Sequence, residues 1–492
     1  MRIVVLADLR GRVGRDAEDP GPPIGQRPLV AVDVDNFGDV LARIEPRLEL
    51  RLGGPDSPGL PIAFRSLDDF HPDALYRRLE PFGPLRDVRR RLLDASTFGE
   101  AAAEWLRAIG LAGEAWPGAS AASPSPTEDD EATRRRLLGR GSAETSHVLP
   151  SGTSVPPGLD RLLREVVAPH IVPSADPRLP ELLRSVDDTA AALLRSVLHQ
   201  PDFQALEGAW RSVHDLVAEI EADGGVEVRL LDVTRAELQV DAGTGGAPAL
   251  DRLLTGREVA EEAGSVWPLL VAGFTFGSDE ADAILLERLG TIAIRMGGPL
   301  LAAADPGLVG CRSFGETPDP LDWQTLDAGA GARWHRLRES ACAAWIGLAM
   351  PRILLRLPYG KRTDPVEAFD FEELPSGRDH EAYLWGSPAV ACARLICSSF
   401  VENGAAMEPG DHLQLDDLPA AVYDDEDGPR MKPCAEAALT EAAAQRILDA
   451  GVMPLLASSR RNAVRVMRFQ SIAHPSRPLA GDWGHASSSS DR

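Results

Sequence analysis

Apolar residues recur along this chain at two spacings, and the switches between them divide it into elements. Residues 2–7 (RIVVLA) are almost wholly apolar and predict a buried strand. Residues 10–27 are rich in Gly, Pro and charge and predict a loop. A second strand is expected over 28–34 (PLVAVDV), then a short helix over 36–43 capped by Asp35. Leu48, Leu50 and Leu52 alternate with charged residues, as an amphipathic strand requires. A Gly/Pro/Asp turn at 53–59 and a strand over 61–64 complete a hairpin with one wet face. Residues 66–94 predict a helix starting at Pro72-Asp73, with Leu75, Leu79, Leu85, Val88 and Leu92 on its apolar face.

Between 118 and 157 the pattern vanishes into Gly, Pro and Ser, which predicts a flexible linker, with a brief acidic-to-basic helix at 127–140. Periodicity returns in a helical stretch over 159–167. It strengthens at Leu182, Leu183, Val186, Ala190, Leu193, Leu194, Val197 and Leu198. His199-Gln200-Pro201-Asp202 forms an exposed break. Phe203, Leu206, Trp210, Val213, Val217 and Ile220 then repeat at helical spacing. Strand 226–233, buried strand 266–276, helix 279–296 and buried strand 299–304 follow, a spacing that predicts right-handed crossover connections.

The stretch 334–373 is the organising element. Trp334, Leu337, Ala341, Ala344, Trp345 and Leu348 predict one amphipathic helix, stopped by Pro351. A short apolar run over 353–357, the turn Pro358-Tyr359-Gly360 and the polar loop 361–367 come next. Its features are those of packing and docking. Ser387-Pro388 starts a helix that ends at Asn403-Gly404, and a last helix is expected over 436–450, stopped by Gly451. Strands are expected over 452–456 and 463–469, and a polar, disordered tail from Ser476.

Composition narrows the function. The net charge of −24 over 492 residues disfavours nucleic acid, which demands clustered cations. No run of about 18 apolar residues exists, so no membrane insertion is expected. Asp8 and the lack of a small-residue cleavage site make the start a strand rather than a signal peptide. Five scattered cysteines without a C-x-x-C pair fit a reducing, cytoplasmic setting.

Candidate chemistry is sparse. His71-Pro72-Asp73 and His199 with Asp202 are better read as helix starts than as acid–base pairs. His380-Glu381 lacks a second zinc ligand. The glycine-rich 243–246 turn lacks the Lys-Ser/Thr of a phosphate loop, and acidic 424–427 lacks calcium-loop spacing. Lys361-Arg362 could grip an acidic neighbour or lie solvated. Trp210, Trp334 and Trp345 read as core. No catalytic, metal or cofactor-binding residue is expected, and no enzymatic activity.

A resemblance adds what spacing cannot. The run LAMPRILLRLPYGKRTDPVEAFDFEE resembles the signature of the large subunit of the type VI secretion contractile sheath. Arg352, Arg356, Pro358, Tyr359, Gly360, Thr363, Pro365 and Glu367 carry it. VLHQPDFQALEGAWRSVHDLV, with His199, Pro201 and Trp210, resembles the same subunit's helix-break-helix. Asp35-Asn36-Phe37 and Phe70-His71-Pro72-Asp73 resemble the sheath's small subunit. The resemblance implies a small subunit (1–117) fused through a linker (118–157) to a large subunit (158–475). It also implies an α+β, phage-tail-sheath-like fold in which both parts share a mixed sheet. These residues become structural or interface candidates. Implied partners are further copies in a helical polymer, an inner tube protein, baseplate components and an AAA+ disassembly ATPase. The family's large subunit continues past the region matching 452–472. From that comes the alternative reading: a truncated accessory protein that caps or regulates a sheath without polymerising.

Overall fold

A computed structural model describes residues 1–12, 21–52, 59–110, 176–220, 225–243, 247–256, 268–425, 428–458, 461–481 and 483. The expected linker at 118–157, the helices at 127–140 and 159–167, and positions 244–246 and 426–427 lie outside them. The described chain falls into two compact units, residues 1–79 with 191–492, and residues 80–190.

In the larger unit the strands in chain order are β1 (Arg2–Ala7), β2 (Val30–Val32), β3 (Arg47–Leu50), β4 (Leu60–Ala63), β5 (Glu227–Asp232), β6 (Pro268–Phe276), β7 (Leu300–Ala304) and β8 (Ile346–Met350). Short strands β9 (Ile353–Leu354), β10 (Trp385–Gly386), β11 (Gln414–Leu415), β12 (Val422–Asp425) and β13 (Gly428–Met431) precede β14 (Met453–Ala457) and β15 (Val464–Val466). Nine of them form one mixed sheet in the order β11-β15-β14-β8-β7-β6-β1-β5-β2.

The middle of this sheet is parallel. β1 lies between β5 and β6, pairing Arg2 with Glu227 and Ala7 with Asp232 on one side, and Arg2 with Pro268 on the other. Antiparallel β2 and β15 close its flanks. Every residue of β1 is buried, as a run without polar alternation requires. Val4 and Leu6 join the core around Leu285, Leu289 and Leu348. By strand alternation Val5 and Ala7 face the other way, onto Val213, Leu216 and Val390 around a cavity of about 250 Å³. Helix Glu280–Met296 connects β6 to β7, starting at an Asp279 cap and ending at left-handed Gly297 (φ 77°). Helix Pro388–Asn403 starts at Ser387 and ends at Gly404, as its sequence predicts. The hairpin β3–β4 buries Leu48 and Leu50 and exposes Arg47 and Glu49.

In the smaller unit, helices Gly83–Leu93 and Phe98–Ala108 turn apolar faces inward through Leu85, Val88, Leu92 and Trp105. The Trp105 indole N–H donates to Ser185 Oγ at 3.2 Å. The helical stripe from Leu182 is realised in Leu179–Leu198; the helix after the break, Pro201–Ala218, belongs to the larger unit.

Several expectations are corrected. The stripe from Trp334 to Leu348 is not one helix. Helix Ala328–Arg338 stops, a short turn follows, and Ile346–Met350 is the fully buried strand β8. Over that length a continuous apolar run satisfies both periods, and burial between β7 and β14 selects the strand. Helix Phe37–Ile44 follows Asn36, not Asp35. Asp33 and Asn36 bond each other's backbone, closing the turn, while Asp35 is exposed. Residues 66–94 hold two α-helices, Pro72–Arg78 and Gly83–Leu93, with a 3-10 turn at Glu80–Phe82 between them. The last helix is Glu441–Asp449, capped by Thr440. Glu436 is drawn into an ion pair with Arg352 instead. Past Ser476, where a disordered tail is expected, Leu479 is buried and the Ala480 N–H donates to Ala344 O at 2.7 Å.

Candidate functional site

Three separate stretches converge where the N-terminal residues meet the 352–373 run. The first is built locally. A capping box between Ser66 and Asp69 holds the turn Leu67–Phe70, and Phe70 stacks on Phe64 at 4.0 Å with Phe203 edge-on at 5.6 Å. His71 caps the next helix, its Nδ1 accepting from the Asp73 N–H at 3.2 Å, with Pro72 in the first turn. His71 Nε2 lies 3.4 Å from Asp364, and its ring meets Tyr359 edge-on at 4.9 Å. Asp73, buried, accepts the Glu367 N–H on both oxygens at 3.2 and 3.1 Å.

The second and third stretches meet on Arg356. Its Nε donates to Glu207 Oε1 at 2.8 Å and its Nη1 to Glu373 Oε2 at 2.7 Å. Both carboxylates are almost wholly buried, at 0% and 2% side-chain exposure. The guanidinium lies 4.0 Å from the Tyr359 ring centroid. Arg211 donates to Glu207 Oε1 at 2.8 Å and to the Tyr359 hydroxyl at 3.1 Å. The Tyr359 N–H donates to Glu373 at 2.8 Å. Two arginines thus face two glutamates, and the charge closes.

The proton affinities follow. Burial works to raise Glu373, but Arg356 and the hydrogen bonds outweigh it and hold the carboxyl at about 2. Burial pushes the Tyr359 phenol up to about 12, against the pull of Arg356. His199 Nε2 sits 3.7 Å from Glu373 Oε1, beyond hydrogen-bond range, and the side chain is 24% exposed, not fully exposed as the break suggested. A Cβ on Gly360 would lie 2.2 Å from Oε2 of the exposed Glu372 side chain, which would have to swing aside. Thr363 Oγ1 donates to Pro358 O at 2.6 Å and closes the turn.

The remaining candidates separate. Trp210, fully buried, donates its indole N–H to Leu9 O at 3.0 Å, with Phe37 edge-on at 5.8 Å. It therefore grips the strand-β1 region as well as its own helix. Pro201 opens that helix. Arg352 binds Glu436 through its backbone N–H and guanidinium at 2.8 and 2.6 Å. Pro365 and Asp35 are exposed and outside the cluster. Glu207 and Arg211 are not among the expected residues, and Glu373 is expected only as the end of the matched run 348–373. The i,i+4 spacing of Glu207 and Arg211 beside the apolar stripe was the available signal.

This arrangement compensates charge and fixes orientation. Its buried carboxylates, Asp73, Glu207 and Glu373, are all held by arginines or backbone. Among the described residues no group of three His, Cys, Asp or Glu could hold a metal ion.

Comparison with known proteins fits a joint of this kind. Residues 181–473, more than half of the chain, match the VipB family, a tail sheath N-terminal domain of the EvpB type. The chain belongs to this sheath family. Residues 1–103 match the VipA family of the type VI secretion system, so this sheath protein carries both subunit families in one polypeptide. It is 32% identical over 309 residues to the type VI secretion system sheath protein TssC1 of Pseudomonas aeruginosa, covering 60% of this chain and 62% of TssC1. It is 30% identical over 132 residues to that organism's sheath protein TssB1, covering 26% of this chain and 74% of TssB1. The chain thus spans less than two thirds of the length of TssC1. The Arg356 cluster joins His71 and Asp73, from the VipA match, to Glu207, Arg356 and Glu373, from the VipB match.

Proposed function

We propose that this chain is a protomer of a type VI contractile sheath, one polypeptide doing the work of both subunits. Copies polymerise around an inner tube in the cytoplasm and contract to propel it. Baseplate components and an AAA+ disassembly ATPase are its further partners. The observation that carries the reading is β1: a strand from the VipA-matching residues pairs on both edges with strands from the VipB-matching residues. Such a strand ties residues from both matches into one sheet, a continuity that force transmission needs. The Arg356 cluster acts within each protomer, and the exposed turn around Lys361 and Pro365 is available to neighbours. No described helix is long and apolar enough to cross a membrane.

Negative-stain microscopy of the purified chain tests the proposal, with tubes as the expected outcome. Discrete particles would favour the accessory, capping reading. A protease site placed within 141–155 tests the shared sheet. The cut halves are expected to stay together on gel filtration at micromolar concentration, and their separation would overturn the one-body arrangement.

A further inference from the structure

The chain contains two lysines, Lys361 and Lys432, in opposite surroundings. Lys361 stands on the exposed turn. Lys432, half-buried, directly follows β13, its N–H donating to Ala421 O at 2.7 Å. Its Nζ lies 3.1 Å from His380 Nδ1, 5.2 Å from the Tyr383 ring centroid and 5.9 Å from that of Trp385. On the far side of the imidazole, His380 Nε2 lies 3.5 Å from Glu436 Oε1.

The supports around this row are fixed. Arg352 clamps Glu436. Burial works to raise Glu436, but His380 and Arg352 hold it at about 2, so it stays ionised. Trp385 donates its indole N–H to His380 O at 2.8 Å, and the two rings pack at 5.1 Å. Tyr383 donates to Gly377 O at 2.8 Å. A carboxylate beside Nε2 favours the tautomer with its proton there, which leaves the Nδ1 lone pair facing Lys432. Carboxylate, imidazole and amine therefore stand in the order that activates a nucleophile.

We propose that Lys432 is a nucleophilic amine and a site of N-acylation by small, uncharged acyl thioesters. Burial lowers its proton affinity, against the pull of Glu436 and Glu381, which enlarges the neutral fraction. The same two carboxylates disfavour anionic donors. In the step, Nζ attacks the thioester carbonyl, the C–N bond forms and the C–S bond breaks. The proton lost by Nζ passes to His380 Nδ1 and then to the departing thiolate, which leaves as a thiol. Nothing is oxidised or reduced. The product amide has no charge, so the cation over Tyr383 and Trp385 is lost next to the β12–β13 hairpin.

The two lysines supply their own control. The full chain is incubated at pH 8 with S-acetyl-N-acetylcysteamine, and acetylation of each lysine is followed by peptide mass spectrometry, folded and in urea. Lys432 is expected to react about tenfold faster than Lys361 in the folded chain, a modest share of what a positioned base supplies, and at a similar rate in urea. His380→Gln is expected to remove the Lys432 advantage without changing Lys361. Equal or faster acetylation of Lys361 in the folded chain would overturn the proposal, whether or not the variant folds. So would a His380→Gln protein of unchanged melting temperature whose Lys432 reacts at the parent rate.

Discussion

The VipA-matching residues meet the VipB-matching residues in two ways that differ physically. At β1 the contact is mainly dry. Six buried residues lie between β5 and β6, apolar on both faces except Arg2, which pairs with Glu227 at 2.8 Å, and with backbone hydrogen bonds on both edges. Around Arg356 the contact is ionic, with His71, Asp73, Glu207, Arg211, Tyr359 and Glu373 satisfying one another. Apolar burial stabilises in proportion to area and hardly depends on angle. Buried charges return little net energy, because desolvation offsets attraction, but they penalise any arrangement that separates them. The first joint supplies cohesion and the second supplies orientation. Perturbations should therefore fall into two classes.

The largest loss is expected on the dry side. Trp210→Ala removes a fully buried indole and its hydrogen bond to Leu9 O. Such truncations cost about 3–5 kcal/mol, a large share of a domain's stability. Melting temperature and soluble yield should drop sharply, and a harmless Trp210→Ala would remove Trp210 from the joint. Arg356→Met should come close behind, because it leaves Glu207 and Glu373 buried without their shared partner. Breaking such a pair costs about 3–5 kcal/mol. Replacing Glu373 by Met as well leaves Arg211 and Glu207 as a balanced pair and should recover much of that. Absence of recovery in this double variant would mean that Arg356 contributes by packing rather than charge.

Acid should act on the ionic joint before the dry one. The Glu373 carboxyl is held at about 2 against an ordinary 4.5, with Arg356 the main lowering influence. Its contribution to stability is complete above the ordinary value and is lost as pH falls from there toward about 2. Melting curves between pH 7 and 2 should decline over that window, and the decline should be shallower in the variant lacking both Arg356 and Glu373. An identical pH profile in both proteins would contradict the assignment. The smallest effect is expected from His199→Ala, about 1 kcal/mol or less, because its imidazole stops short of a hydrogen bond to Glu373. A folded His199→Ala that fails to assemble or to support secretion would show that His199 acts outside the joint.

Local rules accounted for much of the chain. Helix Glu280–Met296 fills the 279–296 expected of it, with Asp279 as its cap and left-handed Gly297 at its end, and Ser387-Pro388 opens a helix at the residue expected. These elements carry their start and stop signals within a few residues. Residues 334–350 carry no such signal at Arg338, and the same apolar spacing serves helix and strand there. Glu436 shows the converse case. It is an acceptable helix-starting acid, yet a distant Arg352 claims it and the helix begins at Glu441.

By itself the sequence determined the strand character of residues 2–7, the break at His199-Gln200 and the burial of Trp210. Each depends on neighbours within one or two turns of chain. Tertiary structure alone decided that β1 lies between β5 and β6, more than 200 residues away in sequence. It also decided that Arg356 answers Glu207, and that His380 stands between Glu436 and Lys432. Apolar periodicity specifies which face of an element is buried, not which element covers it. A charged residue in sequence carries no sign of its partner, because pairing is a property of three-dimensional distance and of desolvation.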